Sequence, residues 1–278
     1  MSHGRSVADA DRDVRQYLVR IAAHLGEVLD DNLAGLYVHG SLASGAFHRE
    51  RSDIDLLAVT KAKLSPSMRE RVAHTLVRLS DARPTPGDIE VSVIQERHAR
   101  AFEHPMPYEV HYSTAWHEPI RRRHFDFTVD RTNADLAANI VDVRERGVTL
   151  YGPPPSTMFG PVPWHAFIGA LQADFDWTRA HVADMPVYAV LSACRVLNGT
   201  TSHTVHAMNK DEAAVWALET VPRMYHSIIN DALQLYRGTK ALDDVVLVER
   251  DIIALREYVR ERSQAAFARA SDTDEDDE

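Results

Sequence analysis

Two aspartates separated by one residue are the clearest chemical signal in this sequence of 278 residues. Asp53 and Asp55 stand at the start of an apolar run, Ile54–Thr60, whose composition is typical of a β-strand. Side chains at positions i and i+2 of a strand point to one face, so both carboxylates should converge. Adjacent carboxylates repel each other unless a cation lies between them, and Mg²⁺ favours a few carboxylates together with water and phosphate oxygens. The pair therefore predicts a magnesium site.

A third carboxylate, Glu90, lies in a second strand-like run, Ile89–Ile94. By alternation it shares a face with Ser92 and Ile94 rather than with its apolar neighbours. If this strand lies beside the one that carries the aspartates, Glu90 can reach the same metal. It would then act as the general base for an attacking hydroxyl.

A Gly-Ser pair precedes the carboxylates and completes the pattern. The run Leu36–His39 reads as a strand that ends at Gly40 and Ser41, where a short helical turn begins. Glycine lets backbone amides approach a phosphate closely, and Ser41 can add a hydroxyl donor. A Gly-Ser pair is also common in ordinary turns, and two aspartates can guard an exposed strand edge against aggregation. The apolar continuation of the aspartate strand favours the catalytic interpretation, because carboxylates entering a core strand need a partner.

The elements that must position these residues differ between the two halves of the chain. Before about Gly152, short β-branched runs alternate with segments of helical spacing, and Tyr108–Tyr112 reads as a fourth strand. Gly152–Pro163 is rich in helix breakers and reads as a linker, after which helical patterns dominate. We predict an α+β fold in which a mixed sheet with helices is followed by an α-helical bundle. The predicted domains are 1–157 and 158–270, with an acidic disordered tail at 271–278.

Composition excludes several classes of protein. A net charge of −10 argues against a protein that coats nucleic acid, whereas an acidic cleft would attract a cationic substrate. The single cysteine, Cys194, excludes an internal disulfide and a multi-cysteine zinc site. No signal peptide or apolar stretch of about 20 residues is present, so we expect no membrane partner and a cytoplasmic location. Nothing in the pattern requires a second chain, and we expect a monomer.

The sequence of these motifs resembles that of the nucleotidyltransferase superfamily related to DNA polymerase beta. It is closer still to the aminoglycoside 3''/9 adenylyltransferases, which inactivate streptomycin and spectinomycin. Leu36–Phe47 and Ser52–Thr60 are similar to the first signature of that family. The segments that are similar to its second signature lie in the helical half: Val190–Leu197, Asn209–Leu218 and Pro222–Tyr236.

The resemblance implies roles for two cations in the helical half. In the family, ATP and the aminoglycoside bind between the two domains, so Lys210 would contact the triphosphate and Arg195 would line the same region. A lysine is a compact charge suited to phosphate oxygens, and a cation gains nothing from the dipole of a helix N-terminus. The alternatives are a solvated Lys210 in a helix capped by Asn209, and a structural ion pair at Arg195.

The resemblance also implies an acceptor site. Trp116 occupies the position of the family's aromatic platform in the first domain, and Trp177 and Asp184 occupy the corresponding stretch of the second. Aromatic faces and carboxylates suit guanidinium or ammonium groups, although both tryptophans could instead be core residues.

The expected function is the transfer of AMP from ATP, with Mg²⁺, to a hydroxyl of an aminoglycoside or aminocyclitol. The acceptor would be streptomycin, spectinomycin or both, and pyrophosphate would leave. Three alternatives remain: another small-molecule acceptor, AMPylation of a protein, and a nucleotide-sensing module that has lost catalysis. The large helical half counts against AMPylation, and a sensor would not need all three carboxylates.

Overall fold

The computed structural model describes residues 6–202, 204–241 and 245–276. Within them the chain forms two compact units. The first comprises residues 6–133 with 142–161, and the second comprises 134–141 with 162–276. The first holds the sheet and the second is helical, so the predicted α+β fold is confirmed. The chain passes between the units at Asn133/Ala134, at Val141/Asp142 and at Pro161/Val162, and the last passage lies four residues beyond the predicted boundary.

The first unit is built on a five-stranded mixed sheet of order β5-β3-β2-β1-β7. Only β2 and β3 pair in parallel; the other neighbours are antiparallel. A second ladder pairs β4 (Met106–Tyr108) with β6 (Arg131–Asn133). The strands of the main sheet are β1 (Leu33–His39), β2 (Ile54–Thr60), β3 (Ile89–Gln95), β5 (Val110–Tyr112) and β7 (Val148–Tyr151).

The predicted strand at Tyr108–Tyr112 is wrong as a single element. It is divided at Glu109 into β4 and β5, which belong to different ladders. The Glu109 side chain is buried and accepts a hydrogen bond of 2.9 Å from Arg69, which is buried as well. A buried carboxylate needs such a cation, while the Glu109 backbone N–H still donates to the Val93 carbonyl of β3 at 2.7 Å.

Two long helices cover one face of the sheet. α1 (Arg12–Leu29) buries Val14, Leu18, Ile21 and Leu25 along one side, which is the spacing that a helix face requires. α3 (Pro66–Asp81) starts at Ser65, whose hydroxyl accepts the Met68 N–H at 3.2 Å. The shorter helices are α2 (Gly40–Ser44), α4 (Glu96–Arg100), α5 (Thr114–Arg121), α6 (Leu136–Arg146) and α7 (Pro155–Met158).

The parallel pairing of β2 and β3 follows from their connection. Parallel neighbours need a crossover, and α3 supplies it. The two strands therefore begin at the same edge of the sheet. Asp55 and Glu90 are both the second residue of their strand.

The second unit is a bundle around α9 (Pro186–Thr201). This helix is buried along almost its whole length, and α8, α10, α11 and α12 pack against it. A helix that is apolar on most sides belongs at the centre of a bundle. The surrounding helices are α8 (Trp164–Arg179), α10 (Lys210–Thr220), α11 (His226–Arg237) and α12 (Glu249–Asp276).

The predicted disordered tail differs from the structure over part of its length. α12 continues to Asp276, so residues 271–276 are helical, and the last two residues lie outside the described ones. Extending an existing helix adds a hydrogen bond for each residue ordered, without a new nucleation step. Across the described ranges, each helix is too short or too polar to cross a bilayer.

Candidate active site

The two faces of the sheet have different chemistry. Alternate residues of β1, β2 and β3, among them Val38, Leu56 and Val91, belong to the core beneath α1 and α3. The residues between them point to the opposite face. There His39 pairs with Asp55, and Asp55 pairs with Glu90, in direct register across three neighbouring strands. We call His39, Asp55 and Glu90 the polar row. Paired residues share a face and neighbouring strands lie about 4.8 Å apart, so the sequence-based expectation that Glu90 lies beside the aspartate strand agrees with the register.

The next row along the same face carries Ser92 and His111. They are paired between β3 and β5, and the Ser92 hydroxyl lies 2.9 Å from His111 Nδ1. Burial lowers the pKa of His111, which favours the neutral ring. Sequence reasoning noted Ser92 only as a neighbour of Glu90 and missed His111, because β5 was not assigned a partner strand.

Asp53 lies just before β2 and is exposed. Its Oδ1 accepts the Asp88 N–H at 2.8 Å, and the Ile54 N–H bonds back to the Asp88 carbonyl at 2.9 Å. Gly87 makes this close approach possible, since a Cβ there would lie 2.1 Å from the Ser52 carbonyl oxygen. Asp53 therefore joins the start of β2 to the loop before β3.

The side chains as they stand do not form a ready-made metal cage. Among the described residues, no group of three His, Cys, Asp or Glu side chains is gathered closely enough to hold an ion. Asp55 and Glu90 share the polar row, whereas the Asp53 carboxylate bonds to a backbone N–H. Three carboxylates repel one another without a cation, so separate positions are expected. The metal-ligand role of the three remains a prediction.

The turn at Gly40 and Ser41 is packed directly on the polar row. Gly40 has φ of 65°, and a Cβ built on it would lie 2.0 Å from Asp55 Oδ2. Its N–H donates to Asp142 Oδ2 at 2.6 Å. Only glycine meets both conditions, a left-handed backbone and a carboxylate against its Cα. The structure thus brings Gly40 against Asp55, and the predicted contact of Gly40 and Ser41 with phosphate remains a prediction.

His39 is the buried member of the polar row. Its Nδ1 lies 3.8 Å from Asp142 Oδ2. Burial lowers the pKa of His39 and the Asp142 carboxylate opposes this, so desolvation is the larger effect. A neutral imidazole fits a role in shaping the turn.

The two predicted phosphate contacts lie in the helical unit. Arg195 is half-buried within α9, and Lys210 is the first residue of α10. Asn209 caps α10 as predicted, in a reciprocal capping box with Glu212. Lys210 Nζ lies 4.1 Å from the centre of the Tyr188 ring. The Tyr188 ring therefore makes a cation–π contact with Lys210, which the sequence analysis did not include.

Tyr188 is itself held in place. Its hydroxyl donates to Asp174 Oδ1 at 2.7 Å, and the Ser192 hydroxyl donates to the other oxygen of the same carboxylate. Asp174 lies on α8, whereas Tyr188 and Ser192 lie one turn apart on α9. Their i, i+4 spacing was the only sequence signal for this cluster, and it is too common to identify one.

The three predicted acceptor contacts are accessible. Trp116 on α5 is 38% exposed and meets Phe125 edge-to-face at 5.3 Å. Trp177 on α8 is 49% exposed and stacks on His181 at 3.9 Å, and Asp184 is exposed between α8 and α9. Neither tryptophan is a fully buried core residue, although their contact with an acceptor remains a prediction.

Comparisons with known proteins match both halves of the chain. Residues 21–101 match the model of the nucleotidyltransferase domain, and residues 157–262 match that of the C-terminal domain of aminoglycoside adenylyltransferase. The helical half of the chain is thus similar to aminoglycoside adenylyltransferases, and its first half is similar to nucleotidyltransferase domains. The chain is accordingly an enzyme of the nucleotidyltransferase class.

The relatives are distant but cover most of the chain. An aminoglycoside (3'') (9) adenylyltransferase of Klebsiella pneumoniae is 26% identical over 242 residues, covering 80% of this chain and 87% of the relative. A spectinomycin 9-adenylyltransferase of Campylobacter jejuni is 22% identical, with coverage of 84% and 90%. The crystal structure of a spectinomycin adenyltransferase, AAD(9), of Enterococcus faecialis with ATP and spectinomycin has a TM-score of 0.75 at 18% identity, covering 90% of this chain and 99% of that one. This last likeness establishes the fold shared with the family.

Proposed function

We propose that this chain transfers AMP from ATP to a hydroxyl of an aminocyclitol antibiotic, with release of pyrophosphate, and so confers resistance. The observation that carries the proposal is the register of Asp55 with Glu90 on adjacent parallel strands, with the Gly40 backbone against the Asp55 carboxylate. Carboxylates beside a glycine turn suit phosphoryl transfer, in which catalysis is mainly positioning and charge stabilisation.

Asp53 and Asp55 would hold Mg²⁺. Hard carboxylate oxygens are the donors that this ion prefers, and neither aspartate is fully buried. The bound ion would offset the charge of the triphosphate and of the transition state. Gly40 and Ser41 would contact the outer phosphates, and Arg195 and Lys210 would supply positive charge to them.

Glu90 would be the general base. It is half-buried in the polar row beside Asp55, where a hydroxyl bound next to the α-phosphate can lie within reach of its carboxylate. Removal of the hydroxyl proton makes that oxygen the nucleophile, which attacks the α-phosphorus in line with the departing pyrophosphate.

Spectinomycin is the acceptor that we favour. Position 9 appears in the names of both the dual-specificity relatives and the spectinomycin enzymes, whereas position 3'' appears only in the former. The exposed faces of Trp116 and Trp177 and the carboxylate of Asp184 would receive a cationic ligand. The acidic net charge of −10 also favours such a ligand.

The test is pyrophosphate release from ATP and Mg²⁺, with spectinomycin and streptomycin added separately. We expect release with spectinomycin; release with both would extend the activity to streptomycin. Glu90→Gln should keep ATP binding and lose roughly 100-fold or more of the rate, because a general base contributes about that much. Glu118→Gln, an exposed change on α5, is the matched control.

Two results would contradict the proposal. If protein that binds ATP releases no pyrophosphate with either antibiotic, neither antibiotic is the acceptor. Turnover by Glu90→Gln at the parental rate would remove Glu90 as the base.

A further inference from the structure

Asp142 contacts the Gly40 turn although it belongs to none of the motifs. Its Oδ2 accepts the Gly40 N–H at 2.6 Å across 102 positions of sequence. The same oxygen lies 3.8 Å from His39 Nδ1, and the Asp142 side chain is 15% exposed. A hydrogen bond from an amide to a carboxylate is about twice as strong as one between neutral groups. The bond is therefore well placed to hold the turn.

Gly40 transmits this contact to the polar row. A Cβ at Gly40 would lie 2.0 Å from Asp55 Oδ2. The Asp55 carboxylate therefore packs directly against the Gly40 backbone. The contacts run from Asp142 on α6, through one backbone amide, to Asp55 on β2. Displacement of the turn would let the carboxylate move as well.

We infer that Asp142 is a positioning residue for Asp55: it anchors the Gly40 turn and so sets where the Asp55 carboxylate lies. This inference rests on the proposed function, since Asp55 has a catalytic role only there. A fourth carboxylate beside Asp53, Asp55 and Glu90 adds repulsion, and a neutral acceptor would avoid it. An aspartate nevertheless makes a stronger hydrogen bond to the Gly40 N–H than a neutral acceptor would, and this stronger bond offsets the added repulsion.

Two variants separate the hydrogen bond from the charge. Asp142→Asn keeps an acceptor oxygen at the same distance from the backbone, and Asp142→Ala removes it. Glu145→Ala removes a carboxylate from an exposed position of the same helix and is the matched control.

The first readout is hydrogen exchange at the Gly40 amide in protein without nucleotide. We expect Asp142→Ala to exchange at least about tenfold faster, the factor that corresponds to a loss of about 1.4 kcal/mol of protection. Asp142→Asn should accelerate exchange less than Asp142→Ala, because it keeps an acceptor but makes a weaker bond, and Glu145→Ala should stay close to the parent.

The second readout is the kinetics of transfer. Asp142→Ala should lower kcat/KM for ATP about tenfold and leave KM for the antibiotic unchanged, whereas Asp142→Asn should lose less because it keeps an acceptor oxygen. If Asp142→Ala does not fold, Asp142→Glu keeps the charge and moves the acceptor by one methylene. It should also accelerate exchange at Gly40.

The inference is overturned if exchange at Gly40 is unchanged in Asp142→Ala, or if it accelerates without loss of ATP affinity or transfer. Equal damage by Asn and Ala would also overturn it, because charge rather than the hydrogen bond would then matter. A parent protein inactive on both antibiotics would contradict the proposed function alone. The inference would then be decided by exchange and by the affinity for MgATP in calorimetry.

Discussion

At the scale of single residues, two glycines bracket α2 and offer a matched pair. Gly40 and Gly45 both have a left-handed backbone, with φ of 65° and 78°. A Cβ at Gly40 would meet the Asp55 carboxylate, whereas a Cβ at Gly45 would meet nothing within 4 Å. The two positions therefore share backbone strain and differ only in the contact with the polar row.

Alanine at each position should separate these effects. Gly45→Ala should lose about 1–2 kcal/mol of unfolding free energy, the cost of a left-handed alanine, and Gly40→Ala should lose more because its Cβ also clashes with Asp55. Gly40→Ala alone should lose activity, by about tenfold or more, because it also displaces Asp55. Chemical denaturation and pyrophosphate release measure the two quantities. Equal activity in both variants would show that the approach of Gly40 to Asp55 is unimportant.

At the scale of elements, α12 is joined to α8 by one buried cation. Arg256 is 4% exposed, and its guanidinium donates to the Phe175 carbonyl and the Thr178 hydroxyl. It also lies 4.1 Å over the Phe175 ring. Burial lowers the pKa of Arg256, because loss of hydration disfavours the charged guanidinium. Arg260, one turn later on α12, is 39% exposed. Its guanidinium lies 3.4 Å from the Asp176 carboxylate and 5.6 Å from the centre of the Phe175 ring.

Removal of these two arginines should have unequal effects. Arg256→Ala removes the guanidinium donor from the buried Phe175 carbonyl, which still accepts from the Thr178 hydroxyl at 2.8 Å, and from that hydroxyl, and it opens a cavity, so it should cost about 2–4 kcal/mol of stability. Arg260→Ala should cost less than about 1 kcal/mol, as expected for an exposed ion pair. Urea denaturation followed by circular dichroism gives both values. Similar costs for the two would show that α12 is not held through Arg256.

At the scale of the whole molecule, Cys194 reports on the helical unit. It lies at the centre of the bundle on α9, 1% exposed, and burial raises the pKa of its thiol to about 12. Since the thiolate is the reactive form, the native thiol should be inert at ordinary pH.

Modification of this thiol should therefore follow unfolding. At pH 8 we expect a disulfide reagent to label native protein at no more than roughly 1% of the rate in denaturant. The rate should rise along the urea transition of the helical unit. Rapid labelling without denaturant would show that the bundle opens around α9, and would contradict its burial.

Local pattern was sufficient for part of this molecule. The period of two along a strand placed Asp55 and Glu90 on faces that could meet, and Asn209 marked the start of α10, because these signals depend on neighbours within a few residues. The breakers at Gly152–Pro163 likewise marked the passage to the helical unit, which begins at Val162 in that part of the chain.

Other features depend on packing between distant segments. The buried Glu109 carboxylate is paired with Arg69, the Gly40 turn is bonded to Asp142, and Lys210 lies against Tyr188. None of these partners lies within the few residues over which propensity and periodicity act. The sequence alone thus determined which residue types could do the chemistry and which face they occupy. Only the tertiary structure decided what holds them there, because a buried polar group takes its partner from whichever element is packed against it.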